Sequence, residues 1–102
     1  MEGEQRKQID AMNELEGRFV YMIRCGAFYK IGVATDLVSR FSSIQSSNPH
    51  ELKLISFFKT IHCFGAEQFI HERLYKYHVR GEWFKLNTKQ AEKVEALFIK
   101  GI

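Results

Sequence analysis

The sequence is poor in the residues that hold a chain together without a core. It has one Pro, two Cys and seven Gly in 102 residues. That excludes a collagen-like repeat and a disulfide scaffold. No apolar run approaches the ~18 residues of a membrane-spanning helix. The opening residues, Met1-Glu2-Gly3-Glu4-Gln5-Arg6-Lys7, are polar with no apolar segment behind them, so no secretory leader is expected. Cys25 and Cys63 are then expected to be reduced thiols in a cytoplasmic protein. Internal repeats and low-complexity runs are missing too. What is plentiful is apolar mass: 45% hydrophobic residues, including nine Phe, four Tyr and one Trp. That supply rules out disorder along the whole chain and supports one domain around one core.

Charge is unevenly placed. Residues 1–16 carry five acids (Glu2, Glu4, Asp10, Glu14, Glu16) and two bases, a net −3. The remaining residues, 17–102, carry +6. This divides the chain into an acidic appendage over 1–16 and a basic domain over 17–102. Ile9, Met12 and Leu15 recur at helical spacing, so the appendage suits a short amphipathic helix. The basic excess fits a polyanion binder and fits ordinary solubility equally well.

Two runs rich in β-formers, 18–24 and 28–33, flank Cys25-Gly26-Ala27, and predict an antiparallel hairpin. Thr35 and Asp36 are N-cap candidates for a helix carrying Leu37, Phe41 and Ile44, stopped by Ser46-Ser47-Asn48-Pro49. Leu52 to Thr60 reads as a buried strand. A second helix opens near Gly65, with Ala66, Phe69, Ile70, Leu74 and Tyr77 as its stripe, and fades near Val79–Gly81. Residues 82–86 are a short strand or an extended segment. Asn87 and Gln90 have capping-box spacing ahead of a last helix with Ala91, Val94, Leu97 and Phe98. The expected fold class is α/β (α+β), a three-stranded antiparallel sheet flanked by helices.

The hairpin is where the residues become specific. Phe19-Val20-Tyr21 ends the first half-motif on Tyr, and Lys30-Ile31-Gly32 ends the second on Gly. Thr35-Asp36-Leu37 opens a helix with Arg40 one turn in. Glu67 and His71 follow as Glu-x-x-x-His, and Gly81-Glu82-Trp83-Phe84 closes the set. In order and spacing this resembles the GIY-YIG nuclease superfamily over residues 18–86. It looks most like the divergent viral and phage-encoded branch whose second half-motif reads KIG. The resemblance implies a metal-dependent DNA endonuclease.

It also implies the site. Glu67 would hold Mg²⁺ or Mn²⁺, hard cations that keep several waters and need few protein ligands. Arg40 would bind the scissile phosphate through its planar fork. Tyr21 would help activate water, and a phenol needs a nearby cation to lower its pKa for that work. Lys30 stands where better-known members have Tyr, and brings charge instead of a phenol. Tyr29, by strand alternation, faces the other side of the sheet and does not replace it. His71 would be a base, a partner of Glu67 or a phosphate donor. His78 shares its helical face only if the helix persists that far. Ile44 takes the place where many relatives carry His. Gly32 would let backbone approach substrate, with Arg73 and Arg80 on the nucleic-acid surface. Trp83 and Phe84 read as core or site wall.

Cys25, His62, Cys63 and His71 lack zinc-site spacing, and Ser42 and Ser43 lack a nucleophile motif. DNA is the expected partner, with RNA also open and no membrane. One site cuts one strand, so a homodimer would serve a double-strand break. Two alternatives stand beside the nuclease. One is a non-catalytic nucleic-acid-binding module of the same fold, motivated by Lys30 and Ile44. The other is an interaction protein using the acidic appendage.

Overall fold

The computed structural model describes residues 18–101. The appendage expected over 1–16, with its Ile9, Met12 and Leu15 stripe, lies outside the described residues. Strands β1 (Phe19–Cys25) and β2 (Phe28–Ala34) form the expected hairpin, paired from Phe19 opposite Ala34 to Cys25 opposite Phe28. Gly26, with φ of 62°, makes the turn possible, because a Cβ is disfavoured in that left-handed conformation. The Arg24 Nε–H donates to the Gly26 carbonyl at 2.8 Å and braces the turn.

Helix α1 (Leu37–Ser46) starts where Asp36 caps it, the carboxylate accepting the Ser39 N–H at 3.0 Å. Strand β3 (Lys53–Lys59) leads to helix α2 (Cys63–Arg73). A 3₁₀ turn over Tyr75–Tyr77 then feeds two short strands, β4 (His78–Arg80) and β5 (Trp83–Lys85). Helix α3 (Thr88–Lys100) opens with the Asn87/Gln90 capping box and ends at Gly101, φ 69°.

The sheet is antiparallel with order β3-β1-β2-β5-β4. It has five strands, not the expected three. The two extra strands have three residues each, too short to show a repeated alternation. Helix α2 also ends earlier than its apolar spacing suggests. The run from Tyr75 to Val79, rich in aromatic and β-branched residues, leaves the helix for the sheet. His78 therefore stands on β4 and not on the helical face of Glu67.

Alternation sends residues to two faces. On one, Val20, Met22, Tyr29, Ile31 and Phe84 pack against Cys63, Ala66 and Ile70 of α2, Leu74 just beyond it, and Ala91, Val94 and Phe98 of α3. On the other, Tyr21, Ile23, Ala34 and Leu52 pack with Leu37, and Phe41, Ile44 and Trp83 lie at the border. Each fully buried large side chain contributes roughly 1.5–3 kcal/mol.

Strand β3 is less buried than expected. It is an edge strand, paired only with β1, and it leaves Leu54 38% and Phe57 50% exposed. A continuous apolar run does not by itself distinguish a central strand from an edge one. Phe58 turns inward, edge-to-face with Phe98 at 5.3 Å. No described helix is long and apolar enough to cross a membrane.

Candidate active site

Gly32 lies at the centre of the cluster. It stands opposite Tyr21 in the hairpin register. A Cβ on Gly32 would meet the Tyr21 Oη at 2.5 Å and a Glu82 carboxylate oxygen, Oε1, at 2.9 Å. Two polar side chains thus converge on the space that this glycine leaves. Lys30, two residues earlier on the same face, places its Nζ 3.3 Å from the same Glu82 oxygen and 5.5 Å from the Trp83 ring centroid.

Glu82 follows Gly81, whose φ of 53° permits the tight turn between β4 and β5. Its backbone carbonyl accepts the Ile31 N–H at 3.1 Å. The Ile31 carbonyl is in turn 2.8 Å from the Nε2 of His71, which packs edge-to-face on Phe84 with centroids 4.9 Å apart. Both hydrogen-bonding groups of Ile31 are thereby engaged, one by the turn carrying Glu82 and one by the helix carrying Glu67. His71 fastens α2 to β2 and leaves only Nδ1 for other chemistry.

Glu67 sits in the middle of α2, half-buried, where the charge of Glu82 reaches its carboxyl. Burial pushes its pKa from 4.5 up to about 7. The Glu82 carboxylate adds to the rise, and Lys30 opposes it. Burial likewise pushes the Tyr21 hydroxyl up to about 12, with Glu82 reinforcing it. The Arg40 guanidinium approaches and favours the phenolate but completes no hydrogen bond. The Tyr21 hydroxyl is buried without a partner. Among the chain's own groups, desolvation of Tyr21 outweighs the lowering effect of Arg40.

Arg40 is exposed on α1, in a shallow groove with Ala34, Thr35, Asp36, Ser39 and Ser43. Tyr21, Lys30, Gly32, Arg40 and Glu67 are thus brought together. Arg73 is not. Its guanidinium lies 4.5 Å over the Phe69 ring, and it lines a groove between α2 and α3 with Tyr77 and Lys93. Arg80 stands exposed on β4, beside the turn that carries Glu82. His78 Nε2 is 2.7 Å from the Gly81 carbonyl, within the same turn.

Glu82 is the functional candidate that sequence reasoning passed over, although its motif was in view. The available signal was an acid in a tight turn that folds against the strand bearing Lys30. The donor set suits a hard divalent cation: two carboxylates beside a buried, unpartnered hydroxyl, around a cradle that a Cβ would fill. No three His, Cys, Asp or Glu side chains cluster among the described residues. Mg²⁺ or Mn²⁺, which keep several waters, fit such a set better than a fully protein-ligated ion.

The fold and cluster define a small α+β domain with charged groups gathered on one face of a hairpin. Residues 18–98 match the T5orf172 domain, and the chain belongs to that family. No curated protein and no solved structure matches it.

Proposed function

We propose that the chain is a metal-dependent endonuclease that hydrolyses DNA phosphodiester bonds, with a GIY-YIG-type site. The observation that carries this reading is the convergence of Tyr21, Lys30, Arg40 and Glu67 around Gly32, on residues that the T5orf172 match spans. Glu67 would hold Mg²⁺ or Mn²⁺, whose chemistry there is to polarise and partly neutralise the scissile phosphate.

The chain's own residues do the rest. Arg40, exposed and permanently charged, binds the phosphate and stabilises the charge that grows on it. Lys30 supplies a second positive charge from β2. Tyr21 acts as a neutral donor, because its proton is held up to about pH 12, and orients the attacking oxygen. His71 is a positioning residue, holding α2 against β2 so that Glu67 faces the cradle. In the net reaction one water adds to phosphorus, one P–O bond breaks, and the departing oxygen takes up a proton from that water. A second copy of the chain would be needed to cut both strands at one encounter.

Plasmid cleavage with Mg²⁺ or Mn²⁺ tests the reading, with wild type beside Glu67→Ala and Arg40→Ala. Nicked or linear products from wild type should fall by about 10²–10³-fold in Arg40→Ala, the usual effect of losing one charge-stabilising donor, and at least as far in Glu67→Ala. Variants that cut as well as wild type sink the assignment. A second reading, a binding module that holds nucleic acid without cutting it, draws on the raised pKa of Tyr21, which makes it a poor base. A folded wild type that shifts duplex DNA in a salt-dependent way, with no products, would favour it.

A further inference from the structure

We propose that Glu82 is a second carboxylate ligand of the cation site, so that the ion is shared between Glu67 and Glu82. This rests on the nuclease reading and extends its site. The two carboxyl groups come from distant parts of the chain, the middle of α2 and the β4–β5 turn, yet a Glu82 oxygen enters the Gly32 cradle and its charge is felt at Glu67. Crowding of that kind in a half-buried place needs a positive counterpart. Lys30 meets only part of the need, since its Nζ faces one Glu82 oxygen.

A separate observation points to the same place. The Tyr21 hydroxyl is fully buried, has no partner, and is directed at the cradle that the Glu82 oxygen also enters. A water on a bound cation would give that hydroxyl an acceptor. Glu82 is also held in place before any ion arrives. Its own carbonyl receives the Ile31 N–H, and Gly81 sets the turn. A ligand fixed by the sheet in this way loses little freedom on binding. The competing account makes Glu82 simply the counter-ion of Lys30, with no contact to a metal.

Mn²⁺ binding to the full chain without nucleic acid, read by electron paramagnetic resonance of free Mn²⁺, separates the two. Folding of every variant is checked by circular dichroism. Wild type should bind one Mn²⁺, with Glu67→Gln and Glu82→Gln each weakening it by roughly tenfold or more. Lys30→Met should bind Mn²⁺ at least as well as wild type, because it frees Glu82 from its ion pair. If Glu82→Gln binds like wild type while Glu67→Gln loses both Mn²⁺ and cleavage, the shared ion is wrong and the nuclease reading stands. If Lys30→Met loses Mn²⁺ as fully as Glu82→Gln, Glu82 acts through Lys30 and the inference also fails. If wild type neither binds Mn²⁺ nor cuts DNA, both proposals fall together.

Discussion

Along β1 and β2, Val20, Met22, Tyr29 and Ile31 turn to one face of the sheet, and Tyr21, Lys30 and Gly32 turn to the other. The first set lies under two helices, and its interior polar groups are satisfied. The second set holds a buried hydroxyl without a partner and a glycine whose Cβ would meet that hydroxyl and Glu82, with Lys30 paired to the same Glu82 oxygen. Neighbouring residues of one strand thus serve opposite ends. The face under α2 and α3 supplies stability, and the face under α1 carries an unpartnered hydroxyl and charge that a stability-optimised domain would discard.

Substitutions should separate these faces by sign as well as size. The largest effect belongs to the packed face. Phe98 is 2% exposed and meets Phe58 edge-to-face. Phe98→Ala should lose about 3–5 kcal/mol in urea unfolding. Whatever protein remains folded should still cleave and bind Mn²⁺ normally. A loss below ~1 kcal/mol would mean that α3 is not the lid of this core.

Gly32→Ala comes next. Its methyl would press on the Tyr21 hydroxyl and on Glu82, so one or both must move. Overpacking of this kind costs about 1–3 kcal/mol. Unlike Phe98→Ala, it should also reduce cleavage per folded molecule, since the displaced groups are those of the site. Unchanged cleavage alongside lowered stability would show that the cradle is packing alone.

Glu67→Gln should reverse the sign. The native carboxyl titrates near 7 and the unfolded one near 4.5, so the folded state holds more protons between those values. Stability that Glu67 contributes at low pH is therefore lost as pH rises through 7. Gln mimics the protonated acid and titrates nowhere. At pH 8 the variant should be the more stable protein. With the shift discounted for partial solvent exposure, the gain is about 1 kcal/mol, or ~4–8 °C in Tm. The gap should close by pH 4.5 while cleavage stays lost at every pH. Melting curves across pH 4–8 check both parts.

The same contrast governs what the sequence could reveal. The β1–β2 hairpin was readable because two seven-residue β-rich runs flank Gly26, and α3 because Asn87 and Gln90 cap it reciprocally. Spacing within a segment encodes such features. Residues 82–86 were readable as a short strand or an extended segment, but β4 and its pairing with β5 were not. Tyr77 continues the helical spacing of Ile70 and Leu74, so nothing local marks the end of α2 at Arg73. The burial of β3 was overread for a related reason, since an edge is a property of the whole sheet. In the site, Tyr21, Lys30, Arg40 and Glu67 were singled out through the family resemblance that their order and spacing carry. Glu82 depends on a turn folding back onto β2, and the raised pKa of Tyr21 depends on what surrounds it. Neither is written in the spacing of any one segment.

The smallest effect is the sharpest test of the comparison. Tyr21→Phe removes one oxygen from a fully buried residue and leaves its ring in place. A buried hydroxyl with no partner carries an uncompensated desolvation penalty, so its removal should raise stability, by up to about 1 kcal/mol. The phenol also titrates near 12 in the folded chain against 10.0 when free, so wild-type stability should decline as pH rises above 10 and the Phe variant should be spared that decline. Paired unfolding curves at pH 7 and pH 11 measure the difference. A destabilised Phe variant would mean that the hydroxyl has a partner after all, and that the two faces of the sheet are equally well satisfied. A stabilised variant that no longer cuts DNA would show that the oxygen is kept against the interest of the fold, for the chemistry at Gly32.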